Sequence, residues 1–255
     1  MTLENRVYLI TGGSKGFGLA IARALVTKGA KVGLLARSQV DLDKAIEEIG
    51  SDHVHGVTAD VGRVSDLSHA FAAVVTHFGR LDGLINNAGM ARPNKVERLN
   101  EEEVRMQVNT NFLGTVFACQ QVIPLLRECG SDNPRIVNIS SASAAHFDEM
   151  SHLSIYAASK AAVERFTRDL ASECRLDEIG VTCVRPGGAD SNIAADWEVD
   201  RTVAAYQAWC EEGSYRAVGL SAQDIAEAVA FCLCQPRGVA VDLLELRPQR
   251  RAQKG

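Results

Sequence analysis

The sequence predicts a single α/β domain with a doubly wound, seven-stranded parallel sheet and helices on both faces. Three observations lead to this fold class. Short apolar strand patterns alternate with longer amphipathic helix patterns along the chain, as in parallel sheets with helical crossovers. Gly29, Gly50 and Gly79 directly follow three predicted helices, where C-terminal caps belong. The 255 residues fit one domain, and no Pro-, Gly- or Ser-rich linker divides residues 1–255.

The elements follow from the spacing of apolar residues. The first strand is the run Val7–Ile10, and the pattern Leu19, Ile21, Leu25 behind it has helical periodicity. The same reading along the chain predicts strands near 6–11, 31–36, 53–58, 82–87, 134–140, 179–185 and 240–246. It predicts helices near 17–28, 40–49, 65–78, 101–128, 155–176 and 222–234.

Composition and charge exclude several classes of protein. The formal net charge is −5, which gives no support for binding to nucleic acid or to an anionic membrane surface. The tail at 247–255 is interpreted as a solvated end. No apolar stretch reaches the length of a membrane span, and the first residues lack a signal-peptide core. We therefore expect a cytoplasmic protein.

Cysteine and histidine usage gives no metal site. The seven cysteines are scattered without a Cys-x-x-Cys pair, so reduced, buried thiols are expected. His53 and His55 could form a metal pair on one strand face, but no third ligand is near in sequence, and both are interpreted as structural.

A glycine loop joins the first strand to the first helix. Its spacing is Gly12-x-x-x-Gly16-x-Gly18, and Lys15 lies inside it. Glycines let the backbone approach a pyrophosphate, and the N–H groups at a helix start favour its negative charge. A glycine-rich turn that binds no nucleotide is the alternative.

Tyr156 and Lys160 are four residues apart on a predicted helix, so both lie on one face. An ammonium near a phenol favours the phenolate, and we therefore expect Lys160 to lower the pKa of Tyr156. Such a phenol could act as a general acid and base.

Together these motifs resemble the short-chain dehydrogenase/reductase family. The matching features, in family order, are the glycine loop from Thr11, Asn86-Asn87-Ala88-Gly89, a serine after the strand Ile136–Ile139, Tyr156-x-x-x-Lys160, and Pro186-Gly187. The resemblance implies a Rossmann-type oxidoreductase that moves a hydride between a nicotinamide cofactor and a small ketone or secondary alcohol. It also implies a homodimer or homotetramer.

The resemblance assigns roles to individual residues. Tyr156 would exchange the proton, Lys160 would hold the nicotinamide ribose, Ser141 would donate to the substrate oxygen, and the backbone carbonyl of Asn111 would anchor a water. Ser140 and Ser143 remain alternatives to Ser141, as Asn109 does to Asn111. The implied cofactor-binding residues, with Tyr156 and Lys160, are Gly12, Ser14, Lys15, Gly16, Phe17, Gly18, Arg37, Ser38, Asp60, Val61, Asn87, Ala88, Gly89, Pro186, Gly187 and Ser191.

The end of the second strand favours NADP(H) over NAD(H). A carboxylate there selects the free ribose 2′-hydroxyl, whereas a cation selects the 2′-phosphate. The sequence has Ala36 at the acid's position and Arg37 next to it, with Lys15 as a second candidate cation. Surface charge without a ligand is the alternative.

Two segments are candidates for substrate contact. Residues 146–152 form a small insertion before Tyr156, and residues 191–216 form a candidate lid. The aromatic residues of this second segment could line an apolar pocket or pack on a neighbouring subunit: Trp197, Tyr206, Trp209 and Tyr215. A second apolar stripe on the two long helices suggests subunit packing; it contains Val116, Phe117, Val122, Val163 and Phe166. An NAD-linked dehydrogenase working oxidatively, or a non-catalytic dinucleotide-binding subunit, remains the alternative function.

Overall fold

The computed structural model describes residues 3–50, 52–145, 151–189, 192–212 and 219–249. Seven strands form one sheet: β1 (Val7–Thr11), β2 (Lys31–Ala36), β3 (Val54–Thr58), β4 (Gly83–Asn86), β5 (Arg135–Ile139), β6 (Gly180–Pro186) and β7 (Leu243–Leu246). Their order is β3-β2-β1-β4-β5-β6-β7, and every pairing is parallel. The predicted doubly wound parallel fold is confirmed.

Helices connect the strands. They are α1 (Gly16–Thr27), α2 (Gln39–Ile49), α3 (Val64–Phe78), α4 (Glu101–Val108), α5 (Gly114–Glu128), α6 (Ser154–Glu173), α7 (Val199–Glu212) and α8 (Ala222–Leu233). Gly50 and Gly79 end α2 and α3 in the left-handed conformation, with φ of 62° and 76°. These two glycine caps were correctly predicted, since residues with a side chain rarely adopt that backbone.

Two helices differ from the prediction. The single helix predicted over 101–128 is divided by a π-helical turn at Asn109–Leu113. The helix α7 was not predicted, although Val203, Tyr206 and Trp209 recur along it at helical spacing. The strand predicted over 240–246 begins only at Leu243.

Apolar side chains pack on both faces of the sheet. On one face α1 and α8 contribute residues that include Ile21, Leu25 and Val229. On the other face α3, α5 and α6 contribute residues that include Phe71 and Leu170. Burial of both sheet faces explains why the central strands are almost continuously apolar.

The predicted second apolar stripe is corrected by this packing. Val122 and Val163 are 0% and 1% exposed within the chain itself, so they cannot be offered to another subunit. Val116, Phe117 and Phe166 are half-buried, and the ring of Phe166 lies edge-on to Phe112 at 6.4 Å between centroids.

Other expectations concern cysteine, histidine and membrane segments. All seven cysteines are free thiols, and four of them are buried. His55 stacks on His77 with 4.1 Å between ring centroids, which is a packing role, and the described part of the chain contains no cluster suited to a metal ion. Among the helices that the structure describes, none is long and apolar enough to cross a bilayer.

Candidate active site

The site lies at the carboxyl edge of the sheet, where the chain order changes between β1 and β4. Thr11 ends β1, and its hydroxyl oxygen accepts the backbone N–H groups of Asn87 and Ala88, both at 3.0 Å. The amide of Asn87 donates back to the carbonyls of Thr11 and Gly12 at 3.0 and 3.1 Å. The motif predicts no role for Thr11, whose hydroxyl holds the end of β1 to the residues that follow β4.

The glycine loop is closely packed. Gly12 has φ of 63°, and a Cβ on Gly18 would lie 2.2 Å from the carbonyl oxygen of Gly12. Only glycine fits at these two positions. The helix α1 begins at Gly16 with no side-chain cap and no acidic residue in its first turn, and Ser14 and Phe17 lie in the same loop and turn. This helix start therefore keeps N–H groups and a partial positive charge available to an anion.

The end of β2 carries the residues predicted to select the dinucleotide. Arg37 is exposed and has no ion-pair partner within the described ranges. Lys15 differs from the prediction, because its Nζ lies 2.8 Å from Asp41 Oδ2 and its charge is already compensated. The Lys15 ammonium holds the pKa of Asp41 below its usual value. Ser38 caps α2 by accepting the N–H of Asp41 at 3.2 Å.

Asp60 and Val61 follow β3. Asp60 Oδ1 accepts the N–H of Gly62 at 2.9 Å, which is a local turn contact. Val61 is 8% exposed and packs against Gly114, where an added Cβ would lie 2.7 Å from Val61 Cγ2. This contact holds the start of α5 close to the third strand end.

Lys160 is buried on α6 and directed at the end of β5. Its Nζ donates to the carbonyl of Ile139 at 2.8 Å, and the residue is 4% exposed. Burial lowers the pKa of Lys160 to about 8. A Cβ on Gly89 would lie 3.3 Å from this Nζ, so the glycine leaves the ammonium open on that side.

Tyr156 and Ser141 form a hydrogen-bonded pair beside it. Burial raises the pKa of Tyr156, and the hydrogen bond from Ser141 lowers it by less. Lys160 does not lower the pKa of Tyr156, because burial lowers the pKa of Lys160 to about 8 and the ammonium has lost its proton before Tyr156 titrates. The prediction that Lys160 lowers the pKa of Tyr156 is therefore wrong, since burial raises that pKa.

The alternative serines are placed differently. Ser140 donates to Glu164 Oε1 at 2.8 Å and is 3% exposed, so it faces away from Tyr156. Glu164 in turn accepts from Arg185 Nε at 2.7 Å. Ser143 donates to Ser141 Oγ at 3.0 Å. Geometry thus favours Ser141 as the serine next to the phenol.

Asn111 lies in the π-helical turn and is fully buried, whereas Asn109 is exposed. Its side-chain amide donates to Met90 O at 2.9 Å and to Ser159 Oγ at 3.0 Å, and Oδ1 accepts the N–H of Met90 at 2.8 Å. No role for Ser159 or Met90 was predicted from the sequence. Ser159 precedes Lys160, and Met90 follows Gly89. This position beside a motif residue is the only sequence signal that could have predicted a role for them.

The end of β6 forms another side of the site. Gly187 donates its N–H to Leu246 O at 2.7 Å, and a Cβ there would lie 2.9 Å from the same oxygen. Pro186 ends the strand, and Gly188 O accepts the N–H of Leu220 at 2.8 Å. Ser191 lies outside the described residues, as do residues 146–150 of the insertion and Tyr215.

The aromatic residues of α7 and the segment before it pack towards Tyr156. Trp209 joins Ala91 and Leu153 in a small core cluster, and Tyr156, Trp197 and Tyr206 are half-buried against that cluster. These three aromatic residues therefore lie beside Tyr156 within the chain.

Comparison with known proteins identifies the family. The model of the short chain dehydrogenases matches residues 6–202. An uncharacterized oxidoreductase of Staphylococcus aureus (strain USA300) is 32% identical over 247 residues, which are 96% of this chain and 98% of the relative. The chain therefore belongs to the short-chain dehydrogenase/reductase family and is an oxidoreductase.

Solved structures agree with this assignment. The 3-ketoacyl-(acyl-carrier-protein) reductase from Brucella melitensis, complexed with NADH, superposes with a TM-score of 0.83 at 28% identity, covering 96% of this chain and 98% of that one. The closed form of serine dehydrogenase, complexed with NADP⁺, superposes with a TM-score of 0.83 at 25% identity, covering 98% and 97%. One of these proteins holds NADH and the other NADP⁺.

Proposed function

We propose that the protein is an NADP(H)-dependent oxidoreductase that transfers a hydride between the nicotinamide and a secondary alcohol or ketone. One observation carries the proposal. The hydrogen-bonded pair Tyr156 and Ser141 lies with buried Lys160 at the carboxyl edge of the sheet, the edge that also carries the uncapped glycine loop. A proton donor and an oxygen-binding donor next to an anion-binding helix start suit carbonyl reduction.

The residues fit a dinucleotide. The first turn of α1 lacks both a capping side chain and an acid, which suits a pyrophosphate. Gly89 leaves space beside Lys160 Nζ and the Asn111 side chain, where a sugar could lie. When bound, the nicotinamide supplies or accepts the hydride.

Residues of the chain itself transfer the proton and bind the substrate oxygen. Ser141 donates a hydrogen bond to the substrate oxygen, and Tyr156 gives its phenolic proton to that oxygen in reduction or takes it back in oxidation. Lys160 places a positive charge near the phenolate that forms in reduction. The carbonyl of Asn111 accepts from Thr115 Oγ1 at 3.0 Å and keeps a second lone pair for a water.

Arg37 supports NADP(H) as the partner. It is an exposed guanidinium at the end of β2 without a carboxylate partner in the described chain, and Ala36 stands where an acid would exclude a phosphate. Ser38 begins α2 beside it, and Asp60 follows the next strand, where a carboxylate can accept from the adenine amine. Lys15 contributes less than its sequence position indicates, because Asp41 pairs with it.

The remaining parts of the proposal concern organisation. Residues 1–255 act as one catalytic domain, and residues 191–216 close over the substrate, with Ser191 available to the nicotinamide carboxamide. The half-buried side chains Val116, Phe117 and Phe166 are the part of the apolar stripe left for packing between copies in a homodimer or homotetramer.

Replacement of Tyr156 by Phe tests the mechanism. The variant should lose about 10³-fold in kcat on a panel of ketones, because the proton donor is gone, while the fluorescence of bound NADPH is retained. Tyr8→Phe is the matched control, since Tyr8 is buried in β1 and its hydroxyl plays no part in the site.

The outcomes separate the candidate functions. Full activity of Tyr156→Phe would contradict the proposed acid–base role. Tight NADPH binding by the wild-type chain without turnover of any ketone or alcohol would support a binding subunit instead.

A further inference from the structure

We propose that the substrate carries a flat, uncharged, apolar ring next to its reacting carbonyl, and that this ring packs against an aromatic wall formed by Trp197, Tyr206 and Trp209. The inference rests on the proposed function, because it takes Tyr156 as the proton donor.

The aromatic wall adjoins the reacting phenol. Trp209 is 5% exposed and forms its base, with Tyr206 at 5.1 Å and Trp197 at 6.4 Å between ring centroids. Tyr156 packs against the same cluster. Trp197 and Tyr206 pack against the same cluster as Tyr156 and are only half-buried, so part of each side chain is left for a substrate to cover.

Both indole N–H groups are used to fix the wall in place. Trp197 Nε1 donates to Ala91 O at 2.9 Å, and Trp209 Nε1 donates to Ser151 O at 2.7 Å. Ala91 follows β4 and Ser151 precedes α6, so the two bonds attach the wall to both sides of the site. With their N–H groups occupied, neither indole has a free donor for a ligand, and half-buried Trp197 has ring surface left to contact one.

Two arginines lie near the wall, and within the described residues only Arg201 is paired with a carboxylate. Arg201 on α7 donates to both carboxylate oxygens of Glu103 on α4, at 2.9 and 2.8 Å. Arg92 Nη1 donates a hydrogen bond to Ala91 O at 3.0 Å, the same carbonyl that accepts from Trp197. Arg92 has no carboxylate partner in the described ranges, so an anionic substrate is the rival that the experiment must separate.

The test compares three carbonyl probes by kcat/KM with saturating NADPH. They are acetophenone, which carries a ring, butanone, which does not, and phenylglyoxylate, which adds a carboxylate to the ring. Acetophenone should exceed butanone by on the order of 100-fold, because only its ring covers the wall, and phenylglyoxylate should fall below acetophenone.

Variants locate the effect. Trp197→Ala should reduce kcat/KM for acetophenone by about 10-fold and leave butanone within about twofold, because the wall contacts the ring alone. Trp197→Phe keeps a ring face without the N–H and should retain most of the acetophenone preference. Leu176→Ala changes an exposed side chain before β6, at the opposite edge of the sheet, and should alter neither substrate.

The failures are distinguishable. Equal kcat/KM for acetophenone and butanone, preference for phenylglyoxylate, or equal losses in Trp197→Phe and Trp197→Ala would overturn the aromatic-wall inference while ketone turnover stands. Absence of turnover with every probe, or turnover that survives Tyr156→Phe, would instead remove the proposed function.

Discussion

Replacing Arg37 with aspartate should weaken the preference for NADPH over NADH. Arg37 lies at the end of β2, exposed and without a carboxylate partner in the described chain. In the proposed complex its guanidinium pairs with the 2′-phosphate that distinguishes NADPH from NADH. Aspartate would repel that phosphate and could accept a hydrogen bond from a free 2′-hydroxyl.

The exposure of Arg37 sets the size of the effect. Two unit charges about 4 Å apart interact by about 1 kcal/mol in water, and exposure keeps the pair near that limit. Losing one such attraction and gaining one such repulsion costs NADPH about 2 kcal/mol, which corresponds to about 30-fold in kcat/KM.

The assay measures kcat/KM for NADPH and NADH with one saturating ketone, at low and high salt. The NADPH/NADH ratio should fall about 30-fold in Arg37→Asp, and the difference should shrink at high salt because screening weakens exposed charge pairs. Arg175→Asp is the matched control, since it makes the same charge change on an exposed residue in the turn before β6, at the amino edge of the sheet.

Comparison with Arg175→Asp decides whether Arg37 contacts the 2′-phosphate. If Arg37→Asp leaves the NADPH/NADH ratio as it is in the wild type and in Arg175→Asp, then Arg37 does not contact the phosphate. The dinucleotide preference must then be set elsewhere in the site.

Three further predictions follow from contacts in the structure. Asp41→Asn should tighten NADPH binding roughly threefold in a fluorescence titration, because it frees Lys15 from its ion pair; unchanged binding would show that Lys15 does not reach the phosphate. Arg135→Leu should lower the free energy of unfolding by about 1–3 kcal/mol in urea, because buried Arg135 donates to three carbonyls between Gln235 and Val239. The exposed Arg237→Leu should cost less than about 1 kcal/mol, and equal losses would contradict this account. Ketone reduction should decline as pH rises through about 8, where Lys160 loses its proton, since burial raises the pKa of Tyr156 and keeps that group protonated there. A pH–rate profile that is flat to pH 10 would exclude this role of Lys160.

Much of the fold could be predicted because its signals are local. The apolar runs that became β1 to β6 lie within one or two residues of their predicted positions, and Gly50 and Gly79 mark the helix ends. A strand buried on both faces must be apolar, and a left-handed cap excludes most side chains, so each requirement is visible in a short stretch of sequence.

The candidate site could be predicted only as a set of residues. Motif order brought Ser141, Tyr156 and Lys160 together correctly at one edge of the sheet, but it could not show the direction of each side chain. The sequence leaves Ser140 as an alternative to Ser141, and the structure separates them because Ser140 bonds to Glu164. Likewise Asn109 and Asn111 lie in one π-helical turn, and the structure separates them because Asn111 is fully buried and Asn109 is exposed.

Residue types at fixed spacing were sufficient to predict the parallel sheet, the glycine loop and the family. The folded chain was needed to show that Asp41 pairs with Lys15, that burial raises the pKa of Tyr156, and that Trp209 on α7 and Trp197 before it lie in the cluster against which Tyr156 packs. Charge pairing, burial and aromatic contact join residues far apart in the chain. Their energies therefore depend on distances that only the folded chain sets.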